Sequence, residues 1–99
     1  MVNHIVMWNF KAELSGQEKQ EAASRIKREL EAVKEQVPGV VSLSVVTDGL
    51  PSGNKDIGLI SVFESVEALH NYQVHPAHVA AGQYVGSVTE GRCCLDYEA

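Results

Sequence analysis

Two short stretches of this chain are apolar on both alternating faces, and no other feature narrows the fold as far. Residues 2–10, Val-Asn-His-Ile-Val-Met-Trp-Asn-Phe, are rich in β-branched and aromatic side chains and read as a strand. Val2, His4, Val6, Trp8 and Phe10 fall on one parity; Asn3, Ile5, Met7 and Asn9 fall on the other. Successive strand side chains point to opposite faces, so one face is strongly apolar and the other is apolar in its middle. Residues 57–63, Ile-Gly-Leu-Ile-Ser-Val-Phe, are apolar on both faces and suit a central strand.

The rest of the chain supplies two more strands and two helical regions. Ser15-Gly16-Gln17-Glu18 has the capping-box spacing, and the pattern predicts a helix running from there to about Val37. Ala22, Ala23, Ile26, Leu30, Val33 and Val37 form its apolar stripe at spacings of three and four. Glu21, Arg25, Arg28, Glu29 and Glu35 make the opposite, solvated face, and Pro38-Gly39 stops the helix. Residues 40–47 read as a strand with Val41, Leu43 and Val45 on one face and Ser42 and Ser44 on the other. Residues 48–56 form a turn-rich loop whose glycines and Lys55 lack the phosphate-cradling spacing. Ser65 opens a second helical region with Val66, Leu69 and Tyr72 on one side. Pro76 suits the first turn of a new segment, continuing through Val79, Ala80, Tyr84, Val85 and Val88. Gly91 breaks it, and residues 92–97 form a last strand with Cys93, Leu95 and Tyr97 on one face.

The order is therefore β-α-β-β-α-β, an α+β ferredoxin-like arrangement. It predicts one domain over residues 1–99, a four-stranded antiparallel sheet, both helical regions on one side, and the first and third strands in the middle. Two helices leave the other sheet face bare, with Ile5 and Met7 beside apolar neighbours. Contiguous apolar patches mark interaction sites, and a second copy is the simplest cover. The expectation is a homodimer packed sheet against sheet, approaching a barrel with helices outside.

Size and charge exclude several function classes. Ninety-nine residues are too few for a two-lobed kinase or dinucleotide dehydrogenase. Eight basic and thirteen acidic residues give a net charge of −5, and Arg25, Lys27 and Arg28 are interleaved with acids. Nucleic acid and anionic membrane both need a basic footprint, so neither is expected as a partner. No apolar run approaches the ~20 residues of a membrane span. Nothing near Met1 reads as a signal peptide, so the expected compartment is the cytoplasm. Cys93 and Cys94 are adjacent, point to opposite faces of a strand and are poorly placed to bridge each other; they read as small semi-apolar residues in a reducing compartment.

The chemistry-bearing residues are histidines. His4 sits among Val2, Val6, Trp8 and Phe10, where a core histidine satisfied by one hydrogen bond is the ordinary outcome. His75-Pro76-Ala77-His78 places one imidazole near a helix cap and another a turn in. A helix N-terminus disfavours a charged imidazole, and a neutral imidazole is what a general base needs. Tyr72 lies six residues before His78, and a bend at the proline lets its hydroxyl approach the same pocket. The plainer alternative is a proline kink with Tyr72 packed in the core. A metal on His75, His78 and His4 lacks the Cys or acidic partners that zinc prefers, and Cys93 and Cys94 lie on a different element, so no metal or other cofactor is expected.

As a whole, residues 2–11, Pro38-Gly39-Val40, residues 62–69, Tyr72, His75-Pro76-Ala77-His78 and Asp96-Tyr97 resemble the stress-responsive A/B barrel domain family. The resemblance covers almost the whole chain and implies a dimeric α+β barrel. Glu64-Ser65-Val66-Glu67, Tyr72, residues 75–79 and Gly82 are also similar to a plant polyketide cyclase of that family. That similarity implies His78 as the base removing a proton α to a carbonyl, Tyr72 as oxyanion partner, and His4 as a pocket residue. The stretch Gln83-Tyr84-Val85-Gly86 departs from it. Two function classes follow. One is a barrel of unassigned reaction holding a small apolar carbonyl or aromatic compound among His4, His75 and Trp8. The other is a cofactor-free, cyclase-like enzyme closing a ring by intramolecular aldol condensation through His78 and Tyr72.

Overall fold

The computed structural model describes residues 1–99. Strand β1 is Val2–Phe10, helix α1 Gly16–Val33, β2 Val40–Val46, β3 Ile57–Phe63, α2 Val66–Val74, α3 Pro76–Val88 and β4 Thr89–Glu98. The sheet order is β2-β3-β1-β4 with every neighbouring pair antiparallel, so the two strands with two-sided apolar character are central, as expected.

α1 begins where the capping box predicts. The Ser15 hydroxyl accepts from the Glu18 N–H at 3.1 Å, and the Glu18 carboxylate accepts from the Ser15 N–H at 2.8 Å. A cap of this kind contributes about 1 kcal/mol. Ala22, Ile26, Leu30 and Val33 are buried against the sheet. The α-helix ends at Val33, earlier than the apolar stripe predicts, because residues 34–36 tighten into a 3-10 turn. Val37 then leaves in an extended conformation and still reaches the core.

Three apolar residues depart from the sequence pattern. Val41 does not share a face with Leu43 and Val45. Val40 pairs with Phe63 and Ser42 with Val62, so Val41 is the extra residue of a β-bulge and stays exposed. Val66 and Val79 are also exposed; α2 buries Ala68, Leu69 and Tyr72, and α3 buries Ala81 and Val85. The second helical region is two helices. His75, at φ −65° and ψ 136°, separates them. The ring of Pro76 disfavours helical ψ at the residue before it, so α2 must end there, while Pro76 itself suits the first position of α3.

β4 carries a second bulge. Met7 pairs with Cys93 and Asn9 with Glu90, which sets Gly91 and Arg92 against Trp8 alone. Gly91 has φ +67°, the left-handed conformation such a bulge requires. The loop between β2 and β3 is tied to this corner: Lys55 donates to the Gly91 carbonyl at 2.8 Å, and the Phe10 N–H donates to Asp56 at 2.9 Å. Lys55 is thus a structural tether.

The two sheet faces differ in cover. Val2, His4, Val6 and Trp8 of β1 are buried beneath the helices, with Leu59, Ser61 and Phe63 of β3 beside them. On the other face Ile5 lies between Ile60 and Leu95, and Met7 between Gly58 and Cys93. Met7 is 39% exposed, Ile60 43% and Leu95 59%, so a band of hydrocarbon crosses three strands with no cover from its own chain.

Gly39, at φ +87°, turns the chain into β2 beneath α2; a Cβ there would lie 2.7 Å from the Ala68 Cβ. Left-handed strain of about 1–2 kcal/mol and overpacking of about 1–3 kcal/mol both oppose a side chain. Gly39→Ala is expected to lose about 2–4 kcal/mol of stability, read as a lower urea midpoint at unchanged slope.

Candidate functional site

Between the helix-facing side of the sheet and the helices lies a cavity of about 160 Å³. Val6, Trp8 and Leu59 of the sheet, Leu30 of α1 and Val85 of α3 make its apolar wall. Three polar side chains enter it: His4 from β1, His78 from α3 and Arg92 from β4. Gly82 and Gly86 complete the α3 side.

His78 is the third residue of α3. Its Nδ1 lies 3.1 Å from the Gln73 carbonyl oxygen, which can only accept, so Nδ1 carries the proton and Nε2 is left as a free base. Burial holds the His78 imidazole below its ordinary pKa, against the opposing pull of the Gln73 carbonyl. A neutral ring with an unprotonated nitrogen is the state a proton-abstracting group needs at neutral pH.

Tyr72 is completely buried, and the cavity wall does not include it. Its ring lies 4.4 Å from that of His78, 4.9 Å from Phe63 and 6.3 Å from His4, centroid to centroid. Its hydroxyl has no hydrogen-bond partner, and burial pushes its pKa up to about 12. A buried hydroxyl left unpaired costs on the order of 1–3 kcal/mol, a cost that a partner arriving from outside the chain would remove.

His4 is 2% exposed. Its Nδ1 meets the Asp96 carboxylate directly across the β1–β4 ladder, and its carbonyl accepts from the Ser61 hydroxyl at 2.7 Å. The carboxylate accepts, so Nδ1 donates, and no protein group engages Nε2. Two of the four histidines thus hold their protons on Nδ1 by anchored contacts.

The structure therefore brings His4, Trp8 and His78 to one cavity and sets Tyr72 behind its wall. His75 is elsewhere: it caps α3, its Nδ1 accepting from the Ala77 N–H at 3.1 Å. With its Nδ1 spent on the cap, His75 does not join His4 and His78 at the cavity. Arg92 lines the cavity and Cys94 and Asp96 lie beside His4, and the sequence assigns none of the three a role in the site. Their shared parity on the last strand was legible, but their nearness to His4 depends on β4 pairing with β1.

Comparison with known proteins agrees with this architecture. The model of the stress responsive A/B barrel domain matches residues 2–99. The chain belongs to that family. No curated protein sequence matches it. Among solved structures, a dimeric ferredoxin-like protein of unknown function from Bacteroides fragilis is 30% identical, superposes with a TM-score of 0.92, and is matched over 99% of this chain and 95% of its own. A dimeric ferredoxin-like protein from Thermobifida fusca is 18% identical with a TM-score of 0.84, over 99% and 90% of the two chains. A hydroxynitrile lyase from Passiflora edulis is 22% identical with a TM-score of 0.80, over 97% and 90%. The last two share the fold. Members of this A/B barrel family have no common assigned reaction, and no helix here is long and apolar enough to cross a membrane.

Two outcomes follow from the geometry. Gly82 lines the cavity, and a Cβ there would meet nothing within 4 Å. Gly82→Ala is expected to raise stability by about 0.5–1 kcal/mol, the helix-interior gain of alanine over glycine, in a denaturant titration. Because the folded His78 pKa lies below its unfolded value of 6.5, the unfolded chain takes up the proton first on acidification. Stability from this residue is complete above that value and is lost as pH falls through the lower folded pKa. His78→Gln is expected to flatten that acid limb in unfolding curves recorded from neutral to mildly acidic pH.

Proposed function

We propose that this chain is a homodimeric barrel that binds one small, mostly apolar carbonyl or aromatic compound in the cavity beside His78. The observation that carries this reading is the cavity's composition: hydrocarbon walls with His4, His78 and Arg92 converging on one space. Binding sites of small molecules are largely apolar with a few placed polar groups. Size refines the ligand. A cavity of about 160 Å³ is close to the ~150 Å³ that takes up a benzene ring, so a monocyclic or short-chain compound fits. The His78 Nε2 is a hydrogen-bond acceptor for such a ligand, and Arg92, which has no carboxylate partner, is a donor.

The second reading is a cofactor-free, cyclase-like reaction at the same place. His78 Nε2 would remove a proton α to a carbonyl, and the enolate would attack a second carbonyl of the same molecule. The unpartnered Tyr72 hydroxyl supports a role as donor to the oxyanion, since its hydrogen bond is unspent. A long poly-β-keto chain exceeds the cavity, so this reading requires a short diketone or a wall that opens toward Tyr72.

A panel of small aryl ketones, phenols and β-diketones, screened by ligand-observed NMR, separates the readings. Saturable binding is expected for the native chain and for His78→Ala at about tenfold or more weaker affinity, a hydrogen bond of roughly 1.5 kcal/mol. Gly82→Leu, which fills the cavity from α3, is expected to abolish binding with the fold intact. Tyr72→Phe distinguishes a binding barrel from an enzyme. It is expected to leave binding unchanged and stability equal or higher if the hydroxyl never meets the ligand. A loss of turnover on a short 1,5-diketone, whose terminal enolate carbon can close a six-membered ring on the second carbonyl, would place the hydroxyl in the reaction.

The dimer rests on the uncovered band of Ile5, Met7, Ile60 and Leu95, and on the dimeric state of the similar proteins from B. fragilis and T. fusca. Sedimentation is expected to return twice the 10.8 kDa chain mass. Ile5→Asp, at the centre of the band, places an unpaired carboxylate in that interface and is expected to weaken association at least ~100-fold, several kcal/mol of desolvation. The two free thiols suit a reducing compartment, and we place the protein in the cytoplasm. The acidic charge of −5 keeps nucleic acid out of the partner set.

A further inference from the structure

Beside the cavity, His4 also belongs to a second cluster with Cys94 and Asp96 at the edge of the sheet, two residues that the function above does not use. Cys94 and Asp96 are two residues apart on β4, so both side chains rise on the helix-facing side. Asp96 pairs directly with His4 across the ladder. Cys94 Sγ lies 3.5 Å from the Asp96 carboxylate oxygen and 3.8 Å from His4 Nδ1. All three donor atoms lie within 4.8 Å of one another.

We propose that His4, Cys94 and Asp96 form a binding site for a zinc-like divalent cation. Metal–sulfur bonds of about 2.3 Å and metal–nitrogen or metal–oxygen bonds of about 2.0–2.2 Å set tetrahedral ligand atoms roughly 3.3–3.8 Å apart. The two distances from sulfur already match that spacing. The third edge, His4 to Asp96, is shorter because a proton now joins the two groups. An ion replaces that proton, and the Asp96 side chain, 39% exposed, has room to swing outward. His4 is the fixed member, held edge-on against Phe63 and Tyr72.

The donor set selects the metal. One thiolate, one imidazole and one carboxylate suit zinc or cobalt; magnesium and calcium take oxygen ligands. Thiolate and carboxylate together offset the charge of a divalent ion. Arg92, next on the same side of β4, is exposed and carries no ion pair, so it is free to withdraw. Three protein ligands leave the fourth position to water, the open arrangement of zinc sites that do more than brace a fold. The proton balance is simple. The Cys94 thiol gives its proton to solvent, and the imidazole proton of His4 moves from Nδ1 to Nε2. His4 then offers the cavity a donor where it had offered an acceptor.

The test is a cobalt(II) titration of the untagged, reduced chain. The expected result is one equivalent bound per chain, with the intense visible bands of four-coordinate cobalt and a thiolate-to-cobalt charge-transfer band in the near ultraviolet. Cys94→Ser removes the charge-transfer band; Cys93→Ser, on the opposite face of the same strand, retains it. Asp96→Asn weakens binding by at least the ~10–100-fold that loss of even an outer-shell partner costs. Zinc displaces the cobalt and raises the unfolding temperature of the native chain but not of Cys94→Ser. Circular dichroism of each variant establishes that it is folded. A native chain that gives no thiolate band, or a band that survives in folded Cys94→Ser, overturns the proposal.

Discussion

The structure depends on β1 lying in the middle of the sheet with opposite assignments for its two parities. Its even residues, Val2, His4, Val6 and Trp8, are pressed against the helices. Its odd residues, Ile5 and Met7, stand in the hydrocarbon band on the other face. A slip of one residue would exchange the two sets, sending His4 to the open face and Ile5 into the core. Pairing on both sides of β1 prevents that slip, and the same pairing sets His4 against Asp96. Core, interface and cavity chemistry are thus consequences of one register.

Pro76 performs a comparable service for α3. By ending α2 at Val74 it frees the Gln73 carbonyl to accept from His78, and that bond sets the imidazole proton on Nδ1. The cap that His75 makes on α3 is the other half of the device. Two histidines in one four-residue motif therefore have different duties. One is spent on holding the helix start. The other turns an unprotonated nitrogen to the cavity, where burial keeps it neutral. Tyr72 packs beneath it with an unspent hydroxyl, the one buried side-chain polar atom without a partner.

Much of this was legible along the chain because local patterns answer to local physics. The capping box, the stripe from Ala22 to Val33, the proline boundary and the two-sided strands each report a backbone period or a hydrogen bond within a few residues. The misreadings share one cause. Val41 matched Leu43 and Val45 in alternation, but a bulge inserted it between paired residues. Val66 and Val79 matched helical spacing, but the face a short helix buries is settled by what it packs on. For Tyr72 the sequence leaves open a hydroxyl at the pocket or a ring packed in the core; packing against Phe63 and His78 sets the ring behind the cavity wall.

The sequence by itself determined the element order, the central strands, the helix starts and the sticky second face, because each follows from side-chain period and backbone chemistry. Only the tertiary structure decided which histidines share a space, that His75 is spent on a cap, and that Cys94 and Asp96 stand beside His4. His4 is separated from the other two by about ninety positions and is joined to them by a strand pairing. No local pattern encodes that distance; it exists only once the ladder between β1 and β4 has closed.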